Sequence, residues 1–409
     1  NRTIMDSQRE GIKALAREAA LLPKEELLQV KAGSSDLVIG IPKETSLQEK
    51  RVAITPEAVA LLVAHGHQVV VETGAGELSY YSDIDYSEAG AKIEHNRKEV
   101  LQAGLVMKVE PPSLEEVGMM SMGATLISAL QLSVQNENLL EAMSKKKITA
   151  IAWDYIRNKS GIFPLVRAMS EIAGNTAILK AGELLAATDG RSAMLGGISG
   201  VRPSTVVIIG AGTVGEFAAR AAMGLGAQVK IFDNRQHRLV RIQQSLGRRV
   251  WTSTIQPSVL DEALRSADVA IGALRGEGPR SPMVVSEPMV SAMREKSVVI
   301  DVCIDRGGCF ETSRLTSHEK PTYTELGVIH YCVPNLASCV SRTASEALSN
   351  IIAPMLLSIA YDGGVESAVR SANIIRSGVY MFKGTLTHSE IAEERGMAYK
   401  DLDLLLAAY

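Results

Sequence analysis

Residues 205–219 read TVVIIGAGTVGEFAA: a run of β-branched residues, then Gly210, Gly212 and Gly215, then a helix-compatible stretch. A dinucleotide pyrophosphate needs that order. A buried strand ends in a tight Gly turn, and the helix that follows points its unbonded N–H groups at the phosphates. The next apolar strand, QVKIFD, ends at Asp233, 23 positions beyond Gly210. An acid at that separation accepts hydrogen bonds from ribose hydroxyls and repels a 2′-phosphate, so the expectation is NAD over NADP. Arg235 and Arg238, close behind, soften that preference.

The motif sits near the middle of 409 residues, and strands alternate with helices on both sides of it. Upstream, DLVIGIP, HQVVVETGAG, LVMKVEPP, ATLISAL and ITAIAWDYI read as strands, with AVALLVAHG and NENLLEAMSKKK as helices between them. Thr55-Pro56-Glu57 is a helix start, with a capping hydroxyl, Pro at the first position and an acid at the positive end. Downstream of the motif, RRVWTST, ADVAIGAL, SVVIDVCID and GVIHYCVPN add strands. Such alternation predicts parallel sheets covered on both faces. Long helical stretches over 164–187 and 343–360 bracket the nucleotide unit, which predicts an insertion. A substrate domain over 37–165 and 342–409 is interrupted by a Rossmann domain over 166–341, with the ligand between them. Residues 1–36 read as a helical arm, and the chain beyond 360 as helical packing material.

A formal net charge of −3 offers no footprint for nucleic acid or an anionic membrane. No uninterrupted apolar run reaches the roughly 18 residues that span a bilayer, so membrane insertion is not expected. The N-terminal stretch lacks the basic start and apolar core of a secretory signal. Cys303, Cys309, Cys332 and Cys339 are spaced like neither a zinc knuckle nor a redox pair. No metal is expected, and a reducing cytoplasm is the simplest setting.

Together with the Gly motif, the ordered stretches IGIPKETSLQEKRVAITPEAV, AMSEIAGNTAI, MLGGISGV, DVCIDRGGCFETS and HYCVPNLAS resemble the alanine dehydrogenase and nicotinamide nucleotide transhydrogenase family from about residue 37 onward. The resemblance implies two doubly wound α/β domains, a Rossmann NAD-binding domain inserted into a flavodoxin-like substrate domain. It also implies a homo-oligomer, a hexamer or dimer, acting on a small amino acid or 2-oxo acid. It places Arg51 at the substrate carboxylate, a bidentate task that suits a guanidinium. Asp305 falls at the acid near nicotinamide and substrate, and Ser170, Val214, Leu274 and Asn335 at the cofactor, with Arg238.

Two positions depart from the dehydrogenase pattern. The K-V-K-E-P segment reads Lys108-Val109-Glu110-Pro111-Pro112, so Glu110 stands where a lysine holds the substrate. ALQLSVQN puts Gln131 where a histidine serves as acid/base, and Gln135-Asn136 resembles the transhydrogenase side. An amide orients a water or carbonyl but does not titrate near neutral pH. Lys108 and Glu110, two apart on an expected strand, would share a face, where Lys108 either replaces the missing cation or is neutralised by Glu110. Three readings stay open: an NAD-dependent alanine dehydrogenase with altered proton transfer, a transhydrogenase-type NAD(H) component, and a non-catalytic NAD-binding oligomer.

Overall fold

The computed structural model describes residues 35–46, 49–131, 136–276, 280–371 and 373–407. The expected arm lies outside them except for its last two residues, as does Gln135. Six short strands come first: β1 Val38–Ile41, β2 Gln68–Glu72, β3 Lys92–Glu94, β4 Leu105–Met107, β5 Thr125–Ser128 and β6 Thr149–Ala152. Next come β7 Thr205–Ile209, β8 Gln228–Phe232, β9 Trp251–Ser253, β10 Val269–Gly272, β11 Val298–Asp301, β12 Thr322–Glu325 and β13 Val328–Tyr331. Strands β14 Val379–Phe382 and β15 Thr385–Leu386 close the set.

The chain divides into two compact units. One takes the described residues up to Glu44, then Val52–Phe163 and those from Leu348 onward; the other takes Thr45–Arg51 and Pro164–Ala347. The segment Thr45–Arg51, expected in the substrate domain, therefore groups with the nucleotide unit and carries Arg51 with it.

In the first unit the sheet order is β15-β14-β6-β5-β4-β1-β2-β3. Strands β1 to β6 pair in parallel. With the three-residue edge strand β3 set aside, their order is that of a flavodoxin-like sheet. Strands β14 and β15 add an antiparallel edge, which corrects the helical reading of the chain beyond 360. All four residues of β14, VYMF, are buried, and a short run buried on both faces has no alternation to distinguish it from a helix. Lys383 and Gly384, both left-handed at φ 49° and 81°, make its two-residue turn. Thr55 does sit at the N-cap of the helix Pro56–Ala64, but its hydroxyl caps nothing. It lies 3.2 Å from the Ser349 hydroxyl instead.

In the second unit the order is β12-β13-β11-β10-β7-β8-β9. Strands β9, β8, β7, β10, β11 and β13 give the Rossmann sequence 3-2-1-4-5-6, with β12 as an antiparallel edge. All five residues of β7 are buried. The helix Pro164–Ala186 crosses the helix Thr213–Gly224 at Gly174, where a Cβ would come within 2.4 Å of the Val214 carbonyl oxygen. Only a residue without a side chain lets those backbones meet. Among the described residues one stretch, Leu336–Tyr361, is long and apolar enough to cross a membrane, and 56% of its window is buried within the chain.

Lys108 does not present a cation to solvent. It follows β4, its N–H still bonded to the Ile127 carbonyl of β5 at 2.9 Å, is 2% exposed, and its Nζ lies 3.1 Å from Glu44 and 2.8 Å from Glu116. Burial alone would lower its pKa, but the two carboxylates outweigh that and hold it above 10.5. Burial likewise works against the Glu116 carboxylate, yet Lys108, the Ser113 N–H and Arg97 keep its pKa below 4.5. Arg97 also reaches Glu72 at 2.8 Å. Glu110, half-buried, is past the strand, so the shared strand face expected for Lys108 and Glu110 does not exist. Replacing Lys108 by Met leaves two buried carboxylates facing each other and should destabilise the protein by about 3–5 kcal/mol. A carboxylate with a depressed folded pKa contributes stability in full above its unfolded value and loses it as pH falls through the folded one. Urea unfolding of Lys108→Met should therefore show a large deficit at pH 7 that narrows at acid pH, below the ordinary glutamate value. Equal midpoints at pH 7 would remove Lys108 from this role.

Candidate functional site

Each glycine of the loop after β7 has a different task. Gly210 is left-handed at φ 121°, and a Cβ there would come within 2.3 Å of the Ala273 carbonyl oxygen, at the end of the neighbouring β10. At Gly215 a Cβ would meet the Gly210 carbonyl oxygen at 1.8 Å, so the helix can start this close to the strand only with glycine. Gly212, the N-cap of the helix, is open: the nearest atom to its Cβ position is an Arg238 nitrogen at 4.0 Å. A tight turn, an uncovered backbone and a close helix–strand contact are what a bound pyrophosphate requires of three glycines. Val214, half-buried, lies in the first turn of that helix. Helix-start N–H groups carry partial positive charge toward such an anion.

Asp233 is buried just past the end of β8. Its carboxylate accepts from the Ala211 N–H at 2.8 Å and the Arg235 N–H at 2.7 Å. Arg238 stands 3.8 Å from the same carboxylate. The acid expected to face a ribose therefore also ties the Gly loop down; two of its roughly four acceptor positions are used. Arg241 adds a bond to the Ala211 carbonyl at 2.9 Å. Leu274, buried after β10, accepts at its carbonyl from the Ser281 hydroxyl at 3.1 Å. Ser170 is half-buried on the long helix.

The loop after β11 carries Asp305 on a 3-10 turn, Ile304–Arg306. Asp301, at the strand end, holds this loop from beneath. Its Oδ2 accepts from the Cys309 N–H at 2.9 Å and the Ser313 hydroxyl at 2.7 Å, and its Oδ1 from the Cys303 N–H at 3.2 Å and thiol at 3.0 Å. Asp305 itself reaches solvent, yet the protein around it desolvates the carboxyl and raises its pKa, against the Arg306 charge. Asp301, Cys303 and Cys309 are the one group of three potential metal ligands among the described residues, within 4.8 Å of one another. Spacing alone gave no hint of that grouping. The donors already bonded to Asp301 account for its position.

Arg51 is built into the same unit by Glu49, a residue that motif reasoning missed. The guanidinium donates from Nε to Glu49 Oε1 at 2.7 Å and from Nη2 to Oε2 at 2.6 Å. The Glu49 side chain is fully buried and that of Arg51 is 5% exposed. Glu49 Oε2 also accepts from Asn335 Nδ2 at 2.8 Å, and Asn335 is left-handed at φ 54°. Arg51 Nη1 points to Met169 Sδ at 3.2 Å. The structure thus brings Arg51 and Asn335, 284 positions apart in the sequence by their numbers, onto one carboxylate. The one available signal was Glu49 two residues before Arg51, a spacing that shares a face in extended chain.

In the first unit, Gln131 is exposed and left-handed at φ 43°. The preceding Leu130 N–H donates to Asp154 at 2.9 Å. Asn136 caps the helix Glu137–Lys145 through its side chain. Neither Gln131 nor the enclosed Lys108 supplies a titrating group or an exposed cation in this unit, and Glu110 brings a negative charge.

Residues 40–173 match the family model "Alanine dehydrogenase/PNT, N-terminal domain" and residues 176–389 match "Alanine dehydrogenase/PNT, C-terminal domain". An alanine dehydrogenase of Halomonas elongata is 38% identical over 90% of this chain and 99% of its own length. One from Mycolicibacterium smegmatis is 38% identical over 91% of this chain and 100% of its own. A solved L-alanine dehydrogenase superposes with a TM-score of 0.82 at 36% identity, covering 87% of this chain and 98% of that one. A transhydrogenase from Sinorhizobium meliloti, at 24% identity and a TM-score of 0.73 over 86% of this chain and 99% of its own, shares the fold. With a Gly cradle, a tethered acid beneath it and a buried arginine in one unit, and both family domains in order along the chain, this protein belongs to the alanine dehydrogenase/PNT family.

Proposed function

We propose that this chain is an NAD-dependent amino-acid dehydrogenase acting on alanine or a close analogue, with pyruvate or a related 2-oxo acid and ammonia as products. The observation that carries this reading is the nucleotide unit, in which a Gly loop with an uncovered Gly212 and an oriented, buried Arg51 are held by the same fold. Bound NAD would supply the acceptor for the hydride on the substrate α-carbon. The loop glycines and helix start hold its pyrophosphate, Asp233 accepts from the ribose, and Asn335, Ser170, Val214 and Leu274 line its path. Arg51 grips the substrate carboxylate, and Asp305 stands beside the reacting amine.

Glu110 and Gln131 set the rate. A carboxylate where the dehydrogenase pattern has a lysine removes an attraction for a substrate carboxylate and adds a like charge in its stead. Loss of a positioned acid/base lowers rate by on the order of 10²–10⁴. The same two residues, with Lys108 enclosed by Glu44 and Glu116, favour as second reading a transhydrogenase-type component that passes hydride to a partner and needs no amine chemistry.

The chain assembles with copies of itself. Leu179, Met194, Ile198, Val201 and Leu225, all large, apolar and exposed in the nucleotide unit, support this, as four free thiols support a reducing cytoplasm. Light scattering should return a mass above that of one 43.8 kDa chain.

Wild-type protein mixed with NADH, pyruvate and ammonia should oxidise NADH slowly, and bind NADH more tightly than NADPH. The pair Glu110→Lys with Gln131→His should raise the rate by about tenfold or more and add an inflection near pH ~6.5; Arg51→Ala on top should abolish the gain. Binding of NADH without turnover of any 2-oxo acid, in wild type and double variant alike, would remove the dehydrogenase reading.

A further inference from the structure

The Arg51 guanidinium offers a planar carboxylate two bidentate edges, Nε/Nη2 and Nη1/Nη2, and the Nε/Nη2 edge is occupied. Glu49 takes it with two parallel bonds of 2.7 and 2.6 Å, a fork-to-fork geometry that fixes the guanidinium plane as well as its position. Glu49 Oε1 also accepts the Arg51 N–H at 2.8 Å, so one oxygen sets both the main chain and the side chain of the arginine. The other oxygen accepts from Asn335. Asn335 needs that anchor, because it starts the 3-10 turn Leu336–Val340 from a left-handed backbone. The Lys50 N–H reaches the Ser338 hydroxyl of the same turn at 2.9 Å, so the Glu49–Arg51 segment and the Asn335 turn are joined at two points.

We infer that Glu49 is the positioning residue that couples the two: it holds Arg51 so that the edge bearing Nη1 meets the substrate carboxylate, and it holds Asn335 against the cofactor. The assignment rests on the roles of Arg51 and Asn335 proposed above. It makes two consequences inseparable. Because Glu49 neutralises the Arg51 charge and blocks one edge, the arginine selects a carboxylate by geometry rather than by net charge. Because one carboxylate serves both residues, a change at position 49 reaches substrate and cofactor together, although Glu49 need touch neither.

The test uses the full-length protein and two probes: NADH, and oxamate, a carboxylate that cannot be aminated. Glu49→Gln keeps the shape and removes the charge. With thermal midpoint near that of wild type, it should weaken oxamate binding to the NADH-loaded protein by about tenfold or more, and NADH binding severalfold. Glu49→Asp should recover part of both losses. Asn335→Ala should weaken NADH severalfold and oxamate by less. A folded Glu49→Gln protein with both affinities within about twofold of wild type overturns the inference. Should that variant not fold, Glu49→Asp decides: a weaker grip on oxamate of about threefold supports the role, and unchanged affinities overturn it. No turnover of any 2-oxo acid by wild type or by the Glu110→Lys, Gln131→His pair, while Glu49→Gln still weakens both probes, rejects the dehydrogenase reading and leaves the coupling standing. Turnover of pyruvate with a neutral Glu49→Gln does the reverse.

Discussion

A parallel sheet leaves unpaired N–H groups where its strands end, in the loops that must carry function. In both units those groups are met by carboxylates from an adjacent strand or loop. Glu72, ending β2, accepts from Lys43 after β1 at 2.8 Å; Glu44, after β1, accepts from Val109 after β4 at 2.6 Å. Asp154, after β6, accepts from Leu130 after β5. In the nucleotide unit Asp233, after β8, accepts from Ala211 after β7. Each acid takes the N–H of the loop on its neighbouring strand, so the loops are laced along the sheet edge. A buried N–H without a partner costs about 1–3 kcal/mol, and a charged acceptor gives a stronger bond than a neutral one.

This lacing explains why so many acids near the candidate site are buried, and why burial there does not mark a catalytic role. Glu116 and Glu44 need Lys108 as counter-charge because both are enclosed. Lys108 is thereby committed to structure. Asp301 plays the same part under the Asp305 loop, accepting from two thiol-bearing residues and Ser313. Glu49 does the same between distant segments, taking the Arg51 N–H and guanidinium on one side and the Asn335 amide on the other. A laced loop is rigid, and a rigid loop holds a guanidinium plane to the tolerance that hydride transfer requires.

The Gly loop follows from the same close packing. Gly210 and Gly215 are excluded from bearing a side chain by carbonyl oxygens at 2.3 and 1.8 Å, whereas Gly212 is kept open. The loop therefore has one face available to an anion and two faces sealed by backbone. Departures from the dehydrogenase pattern fall elsewhere, in the first unit, at Glu110 and Gln131.

The sequence by itself determined the α/β class, most strands of both sheets, the Gly cradle and Asp233, because a buried strand, a glycine turn and a helix start are local and leave a mark within fifteen residues. Family resemblance supplied Arg51, Asp305 and Asn335. Tertiary structure alone decided what each charge is doing. From the sequence Lys108 was either a replacement cation or a partner of Glu110, whereas in the fold Glu44 and Glu116, from two other segments, enclose it; Glu49 went unread because its partner Asn335 is far along the chain. The β14–β15 hairpin was missed for a related reason: buried on both faces, its strand carries no alternation, and its place is fixed by pairing with β6. Local periodicity records which face a residue turns to the core, whereas ion pairing and strand pairing between distant segments exist only once the chain has closed on itself.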